Sequence, residues 1–381
     1  MDTVTTKNDI DILEVENNSD LKAFIKVPFA IYADDPNWVP PLISERLEFF
    51  NKKKNPFYRA AKTRLFVARR NGEYIGRIAT CINYNHNEYH EEKTGFFGFF
   101  DCVNEYEVAE LLFKIALITV KKEGMDRMMG PANFSTNHEL GMLIENYDIP
   151  PMLMMAYNKP YYNDFAEQFG LRKAKDLVAF KIEVGSNFDP RMRKLAERLQ
   201  EREGINVRSL NMRDFDGEID RIIDVYNQAW AKNWGFVPMS REEFRHMAHD
   251  MKQILDPDLV FIAEVQGKPV GFSLTLPNIN QALIKTNGRL FPTGLIKLLW
   301  HTKIKNKVDS VRILTLGLIP EFQKRGLDNI FYIKIYDVGT TKGYTWGEMS
   351  WILEDNFAMV RQAELMGGTL YKKYRVYGMQ V

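Results

Sequence analysis

A short stretch between two apolar segments carries the residue types that bind phosphate. Residues 314–328 read LTLGLIPEFQKRGLD, an apolar strand that runs into a turn and then a helix. Backbone N–H groups at the start of a helix point outward without partners and attract anions. Lys324 and Arg325 add positive charge, and Gly326 lets the backbone approach a phosphate closely. Glycine turns of this kind also occur without a ligand, so the spacing alone leaves both interpretations open.

A glutamate within an apolar strand is the candidate for a general base. Glu348 lies in the predicted strand 345–353, between Trp346 and Trp351. Strand alternation places Glu348 and Ser350 on one face of the sheet. Apolar surroundings raise the pKa of a carboxyl group, which suits proton transfer near neutrality. A solvated or ion-paired glutamate at a strand edge is the structural alternative.

A polar loop in the first half of the chain is a candidate for substrate contact. Residues 130–139 read GPANFSTNHE and follow a predicted strand. Loops of this composition often line binding sites, so we expect Asn133, Ser135 and Asn137 to contact the substrate. The alternative is a turn whose polar groups satisfy one another.

Two sequence matches in nearly the same register indicate that the chain contains its fold twice. The segment FVARRNGEYIG, beginning at Phe66, matches FIAEVQGKPVG, beginning at Phe261. The segment AEQFG, beginning at Ala166, matches AELMG, beginning at Ala363. The two offsets are 195 and 197 residues, so the matches support each other. The first pair predicts two β-hairpins with glycine in the turn, and the second predicts two helices that end on glycine.

The elements around these matches predict an α+β fold with α/β/α layers. Each half has a strand, helices and the hairpin, followed by strand, helix, strand, helix and a last strand. A parallel crossover joined to an antiparallel hairpin makes a mixed central sheet with helices on both faces. We predict one domain over residues 1–187, a linker helix within 188–204, and a second domain over 205–381. In the second domain the later elements are expected at 311–318, 329–342, 345–353, 356–366 and 369–379.

The second half resembles the GNAT acyltransferase superfamily. Gln323 and Gly326 stand in the loop that resembles the superfamily's acetyl-CoA motif, [Q/R]-x-x-G-x-[G/A] after a strand. Residues 348–356 and the helix after them resemble the motif that follows. The element order of residues 205–379 matches the GNAT fold along its length, and residues 10–183 match it more weakly.

This resemblance implies an acyltransferase that moves an acetyl or other acyl group from acyl-CoA to an amine, carried by a small molecule or a peptide. The pyrophosphate of coenzyme A would lie on the backbone N–H groups of the turn. The pantetheine arm would run along the preceding strand, and an asparagine after the next strand would contact that arm. The residues implied in donor binding are Leu316, Leu318, Gln323, Lys324, Arg325, Gly326, Leu327, Asp328 and Asn356.

Three departures from the superfamily pattern affect the predicted site. Asp328 stands where the motif has Gly or Ala, and we expect it to cap the helix instead of facing the pyrophosphate. Ala363 stands where many members carry a tyrosine that protonates the leaving thiolate. Tyr371, Tyr374 and Tyr377 on the last strand are possible substitutes, of which we take Tyr374 as catalytic. The first half lacks the basic glycine turn, so we predict a degenerate copy that does not bind coenzyme A and shapes the acceptor site.

Two other functions fit the same residues. One is an aminoacyl or long-chain acyl transferase of the same fold, and the other is a non-catalytic module that binds acyl-CoA or another ligand. The chain has 51 Lys and Arg against 50 Asp and Glu, a formal net charge of +1. That balance gives no whole-chain attraction for nucleic acid, and we expect no nucleic-acid partner. A homodimer is compatible with the sequence.

Metal binding and membrane insertion are not expected. Cys81 and Cys102 lack the paired spacing of a zinc site. His86 and His90 lie in a segment predicted as a loop, and the glutamate between them is one position away from the zincin pattern. The acidic N-terminal stretch resembles no signal peptide, so we predict a cytoplasmic protein. A basic amphipathic helix is predicted at 292–307, where covering the protein's own core is favoured over membrane contact.

Overall fold

The structure is a computed structural model that describes residues 6–7, 9–186, 189–289 and 308–381. The chain divides into two compact units. The first unit comprises residues 1–177, 283–298 and 372–381, and the second comprises 178–282 and 299–371. The basic helix predicted at 292–307 lies outside the described residues.

The elements of the first half follow the predicted order. They are β1 (Thr6–Lys7), β2 (Ile10–Glu14), α1 (Asn18–Ile31), α2 (Ile43–Phe49), β3 (Ala61–Arg70), β4 (Glu73–Asn83), α3 (Tyr84–His90), β5 (Thr94–Cys102), α4 (Tyr106–Lys122), β6 (Arg127–Gly130), β7 (Met142–Leu143), α5 (Tyr161–Phe169) and β8 (Arg172–Glu183).

The second half repeats the plan after a helix that matches the predicted linker. Its elements are α6 (Pro190–Glu203), β9 (Ile205–Ser209), α7 (Phe215–Ala229), α8 (Arg241–Met251), β10 (Val260–Val265), β11 (Lys268–Pro277), α9 (Asn280–Leu283), β12 (Ser310–Leu318), α10 (Asp328–Thr341), β13 (Trp346–Leu353), α11 (Phe357–Leu365) and β14 (Thr369–Gln380).

Each unit contains a mixed sheet, which confirms the predicted fold class. The first unit has the strand order β1-β2-β3-β4-β5-β6-β14, with β7 beside β14. The second has the order β9-β10-β11-β12-β13-β8. Within these sheets the β5–β6 and β12–β13 pairs are parallel, and β2 through β5 and β9 through β12 pair antiparallel.

The sheet of the second unit is covered on both faces by the apolar sides of helices. One core joins α6 and α10 to the sheet through Leu199, Ile330 and Ile313. The other core, which we call the α7 core, joins α7 and α8 to β10 and β11 through residues such as Ile222 and Phe272. Burial of these side chains on both faces stabilises the layered arrangement.

The two predicted hairpins have the same turn. Asn71 and Gly72 connect β3 to β4 with φ angles of 51° and 87°, and Gln266 and Gly267 connect β10 to β11 with 50° and 75°. Two consecutive left-handed residues define the type I′ turn, whose twist matches that of the flanking strands. The repeated glycine is therefore required by the backbone.

The last strand of each unit comes from the other half of the chain. Residues 372–381 of β14 belong to the first unit, where Tyr377 and Gly130 are partners in antiparallel pairing. Residues 178–183 of β8 belong to the second unit, beside β13. The predicted domain boundary at 188–204 instead places all of β8 in the first domain and all of β14 in the second, in chain order. Sequence sets strand propensity, whereas partner choice depends on tertiary packing.

The prediction of a loop around His86 and His90 is wrong, because residues 84–90 form α3. The Asn83 side chain accepts a hydrogen bond from the backbone N–H of His86, which caps the helix. Glu91 ends the helix in the left-handed conformation. His86 is buried and contacts Glu92 at 2.6 Å.

Candidate functional site

The turn between β12 and α10 presents unpaired backbone donors. Lys324 and Gly326 have φ angles of 58° and 76°, which reverse the chain just before the helix. Among the described residues, the N–H groups of residues 324–327 have no hydrogen-bond acceptor. Successive free N–H groups beside a helix N-terminus form a concavity that binds anions. The turn therefore suits the diphosphate part of a nucleotide.

Two of the predicted donor-binding side chains hold the turn from within. The Gln323 amide donates to the carbonyl oxygens of Leu318, at 2.8 Å, and Ala229, at 3.0 Å. Arg325 pairs with Glu203 of α6 at 2.6 Å and remains 39% exposed. Gln323 therefore fixes the turn against α7, while the guanidinium of Arg325 stays within reach of solvent.

Asp328 acts at the helix start, as its residue type suggests. Its carboxyl group accepts hydrogen bonds from the backbone N–H groups of Asp328 and Asn329. Burial raises the pKa of this carboxyl group, and the two hydrogen bonds oppose the rise. Asp328 thus occupies the first N–H groups of α10 and leaves those of residues 324–327 available.

The parallel ladder beside this turn ends early. β12 and β13 pair over Ser310–Trp346 to Ile313–Met349, although β12 continues to Leu318 and β13 to Leu353. In the described part of the chain, no backbone hydrogen bond continues the ladder past Ile313. The edge of β12 that contains Leu316 and Leu318 can therefore pair with an extended ligand, as the sequence predicts for a pantetheine arm.

A buried polar network lies where the two strands separate. Arg312 and Glu348 are partners in the ladder and are 1% and 0% exposed. Ser350 donates to Oε1 of Glu348, and Tyr371 donates to Oε2. The Nε of Arg312 donates to the Ser350 hydroxyl at 2.9 Å and lies 3.6 Å from Oε1 of Glu348. Both oxygens of Glu348 are therefore hydrogen-bonded inside the protein.

The network shares a sheet face with the α7 core. Phe272 and Leu274 of β11 pack in that core, and Leu276 follows on the same face by strand alternation. Leu276 is the ladder partner of Arg312, and directly opposed residues share a face. The charged pair thus borders an apolar layer, where an ionised group requires a partner.

The predicted catalytic residues do not come together in one place. Glu348 has Tyr371 at its carboxylate, whereas Tyr374 lies in the part of β14 that belongs to the first unit. Tyr374 is fully buried there and is the ladder partner of Leu143. Ala363, which stands where a proton donor was sought, is buried in the core between α6 and α10.

Asn356 caps a helix. Its side chain accepts a hydrogen bond from the backbone N–H of Met359, and α11 begins at the next residue. The half-buried Asn356 thus has a structural task besides the predicted contact with the cofactor arm. Leu327 is buried at the start of α10, so that only its backbone faces the turn.

The polar loop of the first unit satisfies its own polar groups. Asn133 accepts a hydrogen bond from the N–H of Phe99 at 2.7 Å and donates to Glu139 at 2.5 Å. The Ser135 hydroxyl lies 2.9 Å from Nδ1 of His138. Asn137 donates its N–H to that hydroxyl at 3.2 Å. These bonds match the alternative of a self-satisfied turn, and the substrate contacts of Asn133, Ser135 and Asn137 stay predictions.

The same loop covers a strand edge. The parallel ladder of β5 and β6 ends at Phe96–Met129. Beyond it the N–H of Ala132 donates to the carbonyl oxygen of Phe97 at 2.7 Å. A Cβ atom on Gly98 would lie 2.0 Å from the carbonyl oxygen of Ala132. The edge of β5 that corresponds to the open edge of β12 is thus occupied by the protein itself.

Sequence reasoning missed Arg312, Asn329 and Gln362. Each is a buried polar residue in an apolar helix or strand. An arginine in the strand VRILTLGL is a visible anomaly, because arginine is rarely buried unless it is paired. Its partner could not be found from sequence, since the two strands are separated by a helix.

Within the described ranges, no group of three His, Cys, Asp or Glu side chains is arranged to hold a metal ion. The part of the chain that the structure describes also contains no helix both long and apolar enough to cross a membrane.

Two curated proteins are similar to this chain over almost its whole length. Protein YghO of Escherichia coli K12 is 36% identical over 370 residues, which cover 96% of this chain and 94% of that protein. A bacterial ceramide synthase of Caulobacter vibrioides is 36% identical over 379 residues, 98% of each. No family model matches the chain.

Several solved structures that share the fold are named as GNAT or GCN5-related acetyltransferases. A tandem GNAT protein from the clavulanic acid biosynthesis pathway has a TM-score of 0.55 and 10% identity, covering 97% of this chain and 98% of its own. A GCN5-related N-acetyltransferase of Sphaerobacter thermophilus has a TM-score of 0.54 and 13% identity, covering 99% and 97%. The acetyltransferase region of a fungal multi-domain protein has a TM-score of 0.58 and 14% identity, covering 97% of this chain and 38% of that one.

Proposed function

Because the chain belongs to the family of the bacterial ceramide synthase, within the GNAT superfamily of acyltransferases, we propose that it transfers an acyl group from acyl-CoA to an amine. At the level of the family it is an N-acyltransferase. The identity of the donor and the class of the acceptor are the proposed part.

The observation that carries this proposal is the turn before α10. Four consecutive N–H groups, at residues 324–327, lack a protein acceptor in the described structure. Lys324 is exposed beside them, and the open edge of β12 leads away from them. A diphosphate on the turn and an extended amide-containing arm on the strand would use both features. Coenzyme A has both groups.

The chemistry requires a proton acceptor near the thioester. The reaction forms an N–C amide bond and breaks the C–S bond, the nitrogen loses a proton, and the leaving thiolate gains one. Glu348 is completely buried, so a proton reaches it through one of its hydrogen-bonded hydroxyls. We assign this path to Tyr371, which passes its own proton to Glu348 as its oxygen accepts the proton of the amine. Tyr374 stays a prediction from sequence.

The name of the relative and the sheet face of the network both support a proposal for the acceptor class. A ceramide contains an amide formed on a long-chain amine, and the Caulobacter protein is named as its synthase. Arg312 and Glu348 share a face with the α7 core, whose residues are apolar. We therefore propose a long-chain amine as acceptor.

The test combines binding with turnover. Calorimetric titration with acetyl-, octanoyl- and palmitoyl-CoA is expected to show one site per chain. Release of free thiol and formation of an amide, followed by mass spectrometry, are expected with a long-chain amino alcohol and much less with a short one. Binding without thiol release for any amine would establish the non-catalytic module. No binding of any acyl-CoA would contradict the proposed donor.

A further inference from the structure

Two buried side-chain amides join the donor-binding turn to α11. The Nδ2 of Asn329 donates to the carbonyl oxygen of Gly326 at 2.8 Å. The Nε2 of Gln362 donates to Oδ1 of Asn329 at 2.6 Å. Asn329 is 5% exposed and Gln362 is 8% exposed. The two residues form a chain of hydrogen bonds that we call the amide relay.

The relay fixes the orientation of a peptide unit within the turn. The carbonyl oxygen of Gly326 accepts the Nδ2 hydrogen bond of Asn329 and also the backbone N–H of Asn329, at 3.3 Å. A peptide unit is planar, so a fixed carbonyl also fixes the N–H of the next residue, Leu327, in the opposite direction. That N–H is one of the four donors without a protein acceptor.

The hydrogen bond to its carbonyl restrains the backbone of Gly326, which is more flexible than that of a residue with a side chain. Its φ angle is 76°, and a Cβ atom there would have no heavy atom closer than 3.5 Å. Glycine visits left- and right-handed conformations with similar ease. Neither its own side chain nor crowding by neighbours therefore holds the turn in the conformation that gathers the N–H groups.

The fold itself does not require an amide at position 362. The repeat pairs Ala363 with Ala166, so the residue that corresponds to Gln362 is Phe165, which is buried in the core of the first unit. The first unit has the same helix without the relay and without the basic turn. The amide at 362 thus occurs together with the donor-binding turn.

We propose that Asn329 and Gln362 are positioning residues that set the affinity for the diphosphate of the donor without touching it. The proposal rests on acyl-CoA being the donor. Because the relay orients only the turn, its loss should weaken the binding of donors that carry a diphosphate and should not change the binding of donors that lack one. A general effect on folding would weaken the binding of both kinds of donor.

The experiment uses N329D and Q362E, which keep the size of each side chain and replace a donor by an acceptor. The Kd for coenzyme A is expected to rise about 10-fold for N329D, and less for Q362E, because each breaks one buried hydrogen bond. The KM for acyl-CoA should rise in parallel, with kcat unchanged. With an acyl-pantetheine donor, which has no diphosphate, kcat/KM should equal that of the wild type.

Asn227 provides the matched control. Its side chain donates to and accepts from the backbone of Met239 in the same unit, and among the described residues it makes no hydrogen bond to residues 323–327. N227D is expected to lower the unfolding temperature and leave the Kd for coenzyme A unchanged. If N329D does not fold, Q362E decides the question, since its change lies one hydrogen bond further from the turn.

The outcomes are distinguishable. If folded N329D and Q362E bind coenzyme A as the wild type does, the relay has no positioning role. Equal losses with acyl-CoA and acyl-pantetheine would show a structural role only and would also overturn the inference. If the wild type binds no coenzyme A, the proposed function fails first, and the inference fails with it.

Discussion

Each unit contains a parallel ladder of two strands, β5–β6 in the first and β12–β13 in the second, but the residues paired in the two ladders differ in polarity. Counted from the first pair of each parallel ladder, the third pair is Phe96–Met129 in the first unit and Arg312–Glu348 in the second. All four residues are at least 97% buried. The fold is therefore compatible with an apolar pair at this place.

That comparison bears on the role of Arg312 and Glu348. Burying a charged pair costs desolvation that its attraction barely recovers, so such a pair is weak evidence for stabilisation. The first unit achieves the same pairing with apolar residues. The proposed reaction thus explains the charged pair of the second unit better than the needs of the fold do.

The strand edges show the same contrast. In the first unit Ala132 and Asn133 hydrogen-bond to Phe97 and Phe99 beyond the ladder, and in the second no described residue takes that position on β12. The turn after β5 contains Glu105 paired with Arg70, whereas the turn after β12 contains Lys324 and Arg325. In the first unit the protein itself occupies the strand edge and the turn after it contains an ion pair, whereas in the second unit the strand edge is open and the turn is basic. This difference supports a single donor site per chain.

The largest effect is expected for E348Q. It removes the carboxylate charge that lies 3.6 Å from the buried Nε of Arg312. We expect turnover to fall about 100-fold, as is usual for loss of an acid–base group, and the free energy of unfolding to fall by roughly 3 kcal/mol. Stopped assays on the folded fraction and urea unfolding measure the two. M129L, at the corresponding place in the first unit, should leave turnover unchanged.

A second variant replaces Arg312 and Glu348 by the apolar pair of the first unit, Phe96 and Met129, and so tests the same comparison. R312F/E348M is expected to regain stability, to within about 2 kcal/mol of the wild type, because no buried charge remains unpaired. Turnover should stay as low as in E348Q. If the double variant is active, the charged pair has no part in the reaction, and the contrast between the units has another cause.

Charge reversal at the turn is expected to have a smaller effect. Lys324 is exposed next to the free N–H groups, and K324E should weaken acyl-CoA binding about 10-fold by placing a negative charge beside the diphosphate. The loss should shrink as salt is added. N104E, in the exposed turn after β5, is the control and should leave the Kd unchanged. Equal effects of both variants in calorimetry would contradict a single donor site.

A pH effect on stability is expected from the first unit's polar loop. Burial lowers the pKa of His138 to about 4, below its ordinary 6.5. The unfolded chain therefore takes up the proton first, and stability is complete above pH 6.5 and falls as the pH drops toward 4. The slope is at most about 1.4 kcal/mol per pH unit.

Urea unfolding between pH 7 and pH 5 measures this slope. H138Q should flatten it, because glutamine does not titrate. The neighbouring Glu139 has a lowered pKa, so its own contribution is lost only below the range tested. Arg46, which pairs with Glu139 at 2.7 Å, stays charged throughout. An unchanged slope in H138Q would assign the pH dependence to other groups.

The smallest effects on stability are expected from substitution of the two hairpin glycines, and these effects should be equal in the two units. Gly72 and Gly267 occupy the same turn position, and a Cβ atom at either would meet no atom within 4 Å. G72A and G267A are therefore expected to cost only backbone strain, about 1 kcal/mol each. Thermal unfolding of the two variants checks the equivalence. A difference above about 1 kcal/mol would show that the hairpins have different surroundings.

The sequence alone predicted the layered α+β fold, the repeated hairpins and the presence of a helix between the two halves. Periodicity, turn glycines and caps are local properties, so they can be recognised in a segment without knowledge of its neighbours. The turn at Lys324 to Gly326 was recognisable for the same reason. The cap expected at Asp328 lies one position earlier, at Leu327, although the Asp328 carboxyl group does accept from N–H groups at the helix start.

Only the tertiary structure decided which strands and side chains meet. The last strand of each unit comes from the other half of the chain, because several strands of similar propensity compete for each edge. Arg312 meets Glu348 across a crossover helix, and Tyr371 rather than Tyr374 reaches that carboxylate. Such contacts join residues far apart in the chain, and only the packed sheet specifies them.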